Sequence, residues 1–332
     1  MESNYQGKIC MSGAVYNDLS EVRDDIYEFD LILNDKAICS YSRNRSKSYD
    51  VDVLNAVTSV LEYGNIQMPT EVFDSYDEAV PWLRKMLKKK KVFLFVRARL
   101  LDYDIAFRYS RNAKHIMCIK EYDPVEKKYR IADSFISNAP LASFYGWVNS
   151  ETIDNSWIDL KCDNFYLDYD PKDIDLIINN RINNLIGFFE QYLNTDPSDE
   201  NNEFYYGKAA LNTLLSDTLK SIEASDIQDI EGQIVSLNYY FRADSVIGLS
   251  QLIRDSFQWL ISQGDNVFWE ECVTEMNSLI ESLIKELLVC TKMSLRMKKD
   301  KVIASLQTMQ NIIEQENNIY MKALNKLNKY YI

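Results

Sequence analysis

The stretch from Lys91 to Phe135 constrains this chain most, because it predicts three strands of one sheet and holds the only histidine among 332 residues. The apolar run Val92 to Val96 is typical of a buried strand. Residues 116–122 and 129–135 indicate two more strands, joined by a turn at Asp123-Pro124. We therefore expect a hairpin next to a buried strand.

The geometry of this hairpin decides whether His115 meets Asp133. His115 begins the second strand and Asp133 closes the third, so antiparallel pairing brings both to one end of the sheet. In a three-residue loop, Asp123 pairs with Lys127. Asp133 then lies opposite Met117, on the face that carries His115. A four-residue loop predicts opposite faces.

A histidine oriented by a carboxylate is half of a nucleophilic site. The acid fixes the ring tautomer and supports the imidazolium that forms when a thiol or hydroxyl loses its proton. The alternative is that a single histidine at a strand end is structural or simply exposed, which is common in proteins. The nucleophile must come from elsewhere in the chain.

Cys10 is the first candidate for that nucleophile. It precedes a segment that can form a short helix, and the positive end of the helix dipole favours a thiolate. Gln6 or Asn4, a few residues upstream, could donate a side-chain N–H to a developing oxyanion.

Cys39 is the alternative nucleophile. It ends a strand-like run and is followed by polar residues that predict no helix, so its thiol lacks help from a helix dipole. Either cysteine could instead be buried and inert, the commonest state of a free cysteine. Cys118, within the predicted second strand, is expected to belong to the core.

Composition excludes several other classes of protein. No apolar run reaches the roughly 18 to 20 residues that span a bilayer, and the N-terminus lacks a secretory signal, so we expect a cytoplasmic protein. The six cysteines show no CxxC pair, and with one histidine neither a disulfide framework nor a metal site is predicted. The net charge of −13 disfavours binding to nucleic acid.

Basic residues are concentrated around the loop that leads to His115. An acidic partner or a phosphate-bearing arm could dock on them, although an ordinary solvated surface has the same composition. The residues are Arg97, Arg99, Arg108, Arg111 and Lys114.

The later half of the chain predicts helices almost throughout. Two amphipathic stripes, one within residues 276–288 and one within 302–331, indicate long helices in a bundle that could also form a homodimer. We therefore predict an α+β protein with a catalytic domain over residues 1–165 and an all-α domain over 166–332.

Taken together, the order of these features resembles the papain-like cysteine peptidase fold. The segment VFLFVRARLLDYDIAFRYSRNAKHIMCIKEYDPVEKKYRIADSF is similar to the butirosin biosynthesis protein H N-terminal family, in which an apolar strand, an aromatic loop and a His-strand-turn-strand-Asp pattern recur. The likeness covers roughly residues 1–165. It implies a triad of Cys10, His115 and Asp133.

The resemblance implies an acyl or aminoacyl transferase of natural-product assembly. Such an enzyme has no bound cofactor: an acyl or peptidyl carrier protein presents the acyl group as a phosphopantetheine thioester, and a small amine or alcohol accepts it. The alternatives are a cysteine peptidase or thioester hydrolase with the same residues, and an inactive scaffold that binds an assembly-line partner.

Overall fold

The computed structural model describes residues 5–43, 48–108, 113–137, 142–194, 203–242, 245–264 and 266–331, without the side chains at positions 106, 108, 227, 266, 330 and 331. The strands in chain order are β1 (Cys39–Ser42), β2 (Ser48–Val51), β3 (Val92–Arg97), β4 (Lys114–Asp123), β5 (Lys128–Ile136), β6 (Ala142–Asn149), β7 (Asn164–Phe165) and β8 (Phe204–Tyr206).

The helices in chain order are α1 (Cys10–Leu19), α2 (Val53–Tyr63), α3 (Tyr76–Met86), α4 (Ile105–Arg108), α5 (Ser150–Ile158), α6 (Asp173–Asn179), α7 (Arg181–Asn194), α8 (Gly207–Ala224), α9 (Ile230–Arg242), α10 (Val246–Ser262), α11 (Asn266–Leu295) and α12 (Lys299–Tyr331). A 3-10 turn at Glu28–Leu31 contributes to the site described below, and another spans Ala98–Leu100.

Two compact units make up the chain, and their bounds differ from the predicted division at residue 165. The first unit comprises Met1–Leu31 and Val57–Asn179, and the second comprises Ile32–Ala56 and Asn180–Ile332. An early segment thus joins the later half, because β1 pairs with β2 on one side and with β8 on the other. The α+β class is confirmed, but an all-α second domain was wrong.

The first unit is built on an antiparallel sheet with the strand order β6-β5-β4-β3-β7. The three strands predicted between residues 92 and 135 are confirmed as β3, β4 and β5. Helix α1 packs against β4 and β5. The buried core of the sheet also includes residues of α3 and α5, and its members on β4 and β5 are Met117, Ile119, Tyr129, Ile131 and Ile136.

The strand β6 and the helix α5 were not among the elements predicted from the sequence. Most residues of β6 are half-buried on both faces, so the strand shows no alternation of apolar and polar residues. Asn149 then begins α5 by accepting the N–H of Glu151 at 3.1 Å. This cap stands at the junction of strand and helix.

The second unit is mostly helical, with the small sheet β2-β1-β8. The two predicted amphipathic stripes lie on α11 and α12, and most of their members are buried, but Leu288 of the first stripe is exposed. Their buried members include Met276, Ile280, Leu283, Leu287, Val302, Leu306, Met309 and Ile313. Among the helices in the described part of the chain, none combines the length and the apolar character needed to cross a membrane.

Candidate functional site

The β4–β5 hairpin brings His115 and Asp133 to one face by a route that the sequence did not predict. Asp123 pairs with Lys128, so the loop has four residues rather than three. Between Ile119 and Glu121 the register shifts by one residue at a β-bulge. The bulge reverses the effect of the longer loop, and the continued register sets Asp133 level with Met117.

A tertiary ion pair fixes the residue at this bulge. Lys120 Nζ lies 2.8 Å from Glu21 Oε1, and Lys91 Nζ lies 2.7 Å from Glu21 Oε2. Partial burial alone would raise the pKa of Glu21, but the two ammonium groups hold it below its ordinary value. The turn after α1 therefore contacts the hairpin at its bulge.

His115 and Asp133 form a buried pair. Nε2 of the ring lies 2.9 Å from Asp133 Oδ2, and the two residues are 7% and 0% exposed. The Cys10 side chain lies close enough to the ring to contribute to its electrostatics. Because Nε2 faces the carboxylate, Nδ1 is the nitrogen that can exchange a proton with the thiol.

The environment of the ring favours its protonated form. Burial by itself lowers the pKa of His115, but the negative charge and hydrogen bond of Asp133, together with Cys10, raise it to about 10. At neutral pH the ring is therefore an imidazolium. Such a cation stabilises a neighbouring thiolate and can later donate a proton.

Cys10 is the first residue of α1, as the sequence predicted. Its N-cap residue, Ile9, offers no side-chain hydrogen bond, so the first N–H groups of the helix face outward without a side-chain cap. Cys10 is also the only one of the six cysteines that is not buried. Its position combines exposure, the positive end of a helix and a neighbouring imidazolium.

A buried carboxylate fixes the segment that leads to Cys10. Glu28 accepts the N–H groups of Lys8 at 3.0 Å and Ile9 at 3.1 Å, and the hydroxyls of Tyr5 and Ser12 at 2.7 Å each. Burial raises the pKa of Glu28, although these donors oppose the rise. No motif around Glu28 indicates this role in advance.

Two glycines bring the same segment close to β5. The N–H of Gly7 donates to the carbonyl of Ser134 at 2.6 Å. A Cβ atom on Gly13 would lie 3.0 Å from Cα of Gly7 and 3.0 Å from Oγ of Ser134. Larger residues would push the start of α1 away from the strand that carries Asp133.

Two aromatic residues of the loop before β4 also contact the pair. The Tyr103 hydroxyl donates to Asp133 Oδ2 at 2.6 Å, and the Phe107 ring lies 5.3 Å from the His115 ring. The sequence shows that this loop is rich in aromatic residues, but it does not indicate which tyrosine reaches the carboxylate.

The alternative nucleophile lies elsewhere. Cys39 belongs to the second unit, on β1, and is fully buried. Burial raises the pKa of its thiol to about 12, with only a hydrogen bond from Tyr49 opposing the rise. A thiol in this environment stays protonated at neutral pH and has no histidine near it in its own unit, because His115 belongs to the first.

The structure describes one of the two predicted oxyanion donors. Gln6 is half-buried and Asn4 lies outside the described residues. Neighbouring backbone donors are engaged, since Gly7 bonds to Ser134 and both Lys8 and Ile9 bond to Glu28. The next backbone N–H along the chain is that of Cys10 itself.

The predicted basic docking residues are partly neutralised. Arg97 Nε lies 2.6 Å from Asp159, and Lys114 Nζ lies 2.7 Å from Asp163. Arg99 is exposed, whereas the side chain of Arg108 and the whole of Arg111 fall outside the described residues. Ion pairs of this kind weaken the case for a basic surface around the site.

None of the protein families compared with the chain matches it, and no curated protein does. Over the described residues, no cluster of three or more histidine, cysteine or acidic side chains could hold a metal ion. The butirosin H-like resemblance stays a prediction.

Proposed function

We propose that the first unit is a papain-like catalytic domain that transfers an acyl group through a thioester on Cys10. The observation that supports this most is the arrangement of the one partly exposed thiol beside an imidazole that is itself paired with a buried carboxylate. In this proposal Cys10 is the nucleophile, His115 the general base and acid, and Asp133 the orienting group.

The first half of the reaction loads the enzyme. The Cys10 thiolate attacks the carbonyl carbon of the donor thioester, and the carbonyl electrons move to oxygen. The tetrahedral intermediate then collapses and breaks the bond to the donor sulfur, which takes a proton from the His115 imidazolium. The backbone N–H of Cys10 and the Gln6 side chain are the proposed donors to the oxyanion.

The second half releases the product. A neutral amine or alcohol attacks the Cys10 thioester, His115 accepts its proton, and Cys10 leaves as a thiolate. Exchange of one thioester for another is nearly thermoneutral, so the main requirement is to keep water away from the acyl group. The proposed donor is the phosphopantetheine arm of an acyl or peptidyl carrier protein, and the proposed location is the cytoplasm, where six free thiols stay reduced.

The test is to detect the acyl-enzyme directly. An acyl-pantetheine thioester is mixed with the protein, and the intact mass is followed over time. We expect one adduct, located on Cys10, that is absent in Cys10→Ala and formed slowly in His115→Ala. Cys162→Ala is the matched control, since it removes a buried thiol from the same unit and should leave the adduct unchanged.

The other outcomes separate the alternative functions. Loss of the adduct to water even with an amine present indicates a thioester hydrolase, and cleavage of peptides without a thioester donor indicates a peptidase. An adduct that persists in Cys10→Ala contradicts the assignment of the nucleophile. If no donor labels Cys10, the unit acts as a binding scaffold rather than as an enzyme.

A further inference from the structure

One oxygen of Asp133 accepts two side-chain hydrogen bonds. Oδ2 receives the Tyr103 hydroxyl at 2.6 Å and faces Nε2 of His115 at 2.9 Å. Among the described residues, the other oxygen, Oδ1, accepts a single, longer bond from the N–H of Phe135 at 3.3 Å. The shortest of these contacts comes from Tyr103, a residue that the proposed reaction does not require.

We propose that Tyr103 is a positioning residue that tunes how tightly His115 holds its proton, acting through the carboxylate oxygen that the two side chains share. The purpose of this tuning rests on the proposed acyl transfer, in which the ring must both take and give a proton. The hydrogen bonds themselves do not depend on that reaction.

The physical reason lies in how a carboxylate distributes its charge. A short hydrogen bond from a neutral hydroxyl draws electron density from Oδ2, so Asp133 attracts the imidazolium less strongly. His115 then releases its proton more readily to a leaving thiol. Tyr103 is suited to this role because burial and the charge of Asp133 raise its pKa well above the ordinary value, which keeps the hydroxyl protonated.

The same loop limits access of water to the shared oxygen. The Tyr103 ring packs 4.7 Å from the Phe144 ring and 5.3 Å from the Phe107 ring, and Phe107 in turn contacts the ring of His115. In such an environment, electrostatic effects between the groups are stronger than in water. A water molecule is therefore a poor replacement for the lost hydroxyl.

Few other titratable groups contribute to the electrostatics of the pair. Cys10 reaches the ring from α1, and Tyr145 on β6 feels the charge of Asp133. Asp102 and Asp104 flank Tyr103 and add to the negative charge that it experiences. All of these groups remain in place when only the Tyr103 hydroxyl is removed.

The experiment is Tyr103→Phe, followed by NMR titration of the only histidine ring in the chain. We expect the pKa of His115 to rise by about half a unit to one unit, because Asp133 regains charge. Asp133→Asn should move it in the opposite direction. Tyr129→Phe is the matched control, since it removes another tyrosine hydroxyl that donates to a carboxylate in the same unit, at 3.0 Å from Asp154.

The sign of the shift distinguishes tuning from a merely structural role. If Tyr103 only supports packing, its loss loosens the pair, and the pKa of His115 falls or stays unchanged, which overturns the proposal. If Tyr103→Phe does not fold, 3-fluorotyrosine at position 103 tests the same idea with the opposite sign. Its hydroxyl is a stronger donor, so the pKa of the ring should fall.

Failure of the proposed acyl transfer and failure of the proposed role of Tyr103 give different results. If the pKa of His115 responds to Tyr103 and Asp133 as expected while no thioester donor labels Cys10, the tuning is correct and acyl transfer is wrong. If Cys10 is labelled normally and the pKa of His115 does not change in Tyr103→Phe, the proposal of acyl transfer stands and the role of Tyr103 is wrong.

Discussion

Asp133 and Asp154 are both buried carboxylates of the first unit, but the cations beside them differ. Asp154 Oδ2 lies 3.3 Å from a guanidinium nitrogen of Arg84, whereas Asp133 lies 2.9 Å from the His115 ring. An arginine stays charged at any physiological pH and transfers no proton. A histidine can accept and donate one, so only the pair at Asp133 is suited to chemistry.

Tyrosine hydroxyls are common to both carboxylates. Asp154 accepts them from Tyr129 at 3.0 Å and Tyr76 at 3.2 Å, and Asp133 accepts one from Tyr103 at 2.6 Å. A tyrosine beside a buried acid therefore does not by itself mark a site. What distinguishes Asp133 is that its histidine also has a partly exposed thiol, Cys10, as a neighbour.

The largest expected effect separates the two carboxylates directly. Asp133→Asn should slow formation of the Cys10 acyl-enzyme by about 10²- to 10⁴-fold, because the ring loses its orienting anion, as in the well-studied serine-protease triad. Asp154→Asn should keep that rate within about twofold and instead lower the free energy of unfolding by about 1–3 kcal/mol.

Rapid-quench mass spectrometry measures the rate of acyl-enzyme formation. Urea unfolding of the same samples measures the free energy of unfolding. The comparison fails if the two variants lower the rate equally, since both acids would then act only through the fold.

The next largest effect is a dependence of the free energy of unfolding on pH. The His115–Asp133 pair should cause it, and the Arg84–Asp154 pair should not. The pKa of His115 is raised from about 6.5 to about 10, so the pair is fully stabilising below pH 6.5, where both folded and unfolded states hold the proton. As pH rises toward 10, the unfolded state loses its proton first, and this stabilisation disappears.

His115→Gln should therefore cost most at pH 6 and progressively less up to pH 10. Urea unfolding of both proteins at several pH values measures the difference, in which the titration of other groups cancels. Arg84→Gln is the control, because the cost of losing a permanent cation should not change over this range. A cost for His115→Gln that is constant or grows with pH would contradict the assigned charge state.

The smallest effect concerns how the thiol is held relative to Asp133. Gly13→Ala should lower the free energy of unfolding by about 1–2 kcal/mol and slow alkylation of Cys10, because its Cβ atom meets the backbone at 3.0 Å. Gly232→Ala on α9 is the control, since nothing lies within 4 Å of its Cβ position. It should be neutral or slightly stabilising. Iodoacetamide labelling at neutral pH measures the rate, and equal behaviour of the two variants would show that the close approach at Gly13 is unimportant.

The sequence predicted which chemical groups could form a site, and it placed them on the correct elements. Cys10 begins a helix, and His115 and Asp133 lie on adjacent strands, because local periodicity and strand propensity are short-range properties. The preference for Cys10 over Cys39 also came from local sequence. Only Cys10 precedes a predicted helix, whose dipole favours a thiolate.

Other features depended on contacts between distant residues. Glu28 binds backbone donors about 20 positions away, and Tyr103 reaches a carboxylate 30 positions away. Neither residue stands in a recognisable motif, and one buried acid looks like any other in a sequence. The pairing of β1 with β8 also joins residues that are far apart in the sequence, and local sequence patterns do not indicate such partners.

By itself, the sequence determined the two strands and the turn between them, and with them a thiol, an imidazole and a carboxylate on elements that could meet. Only the tertiary structure decided that they share a face. The loop is one residue longer than predicted, which alone would separate His115 from Asp133. A bulge at Lys120, whose ammonium group pairs with Glu21, restores the register, because strand side chains alternate and a shift of one residue reverses every face.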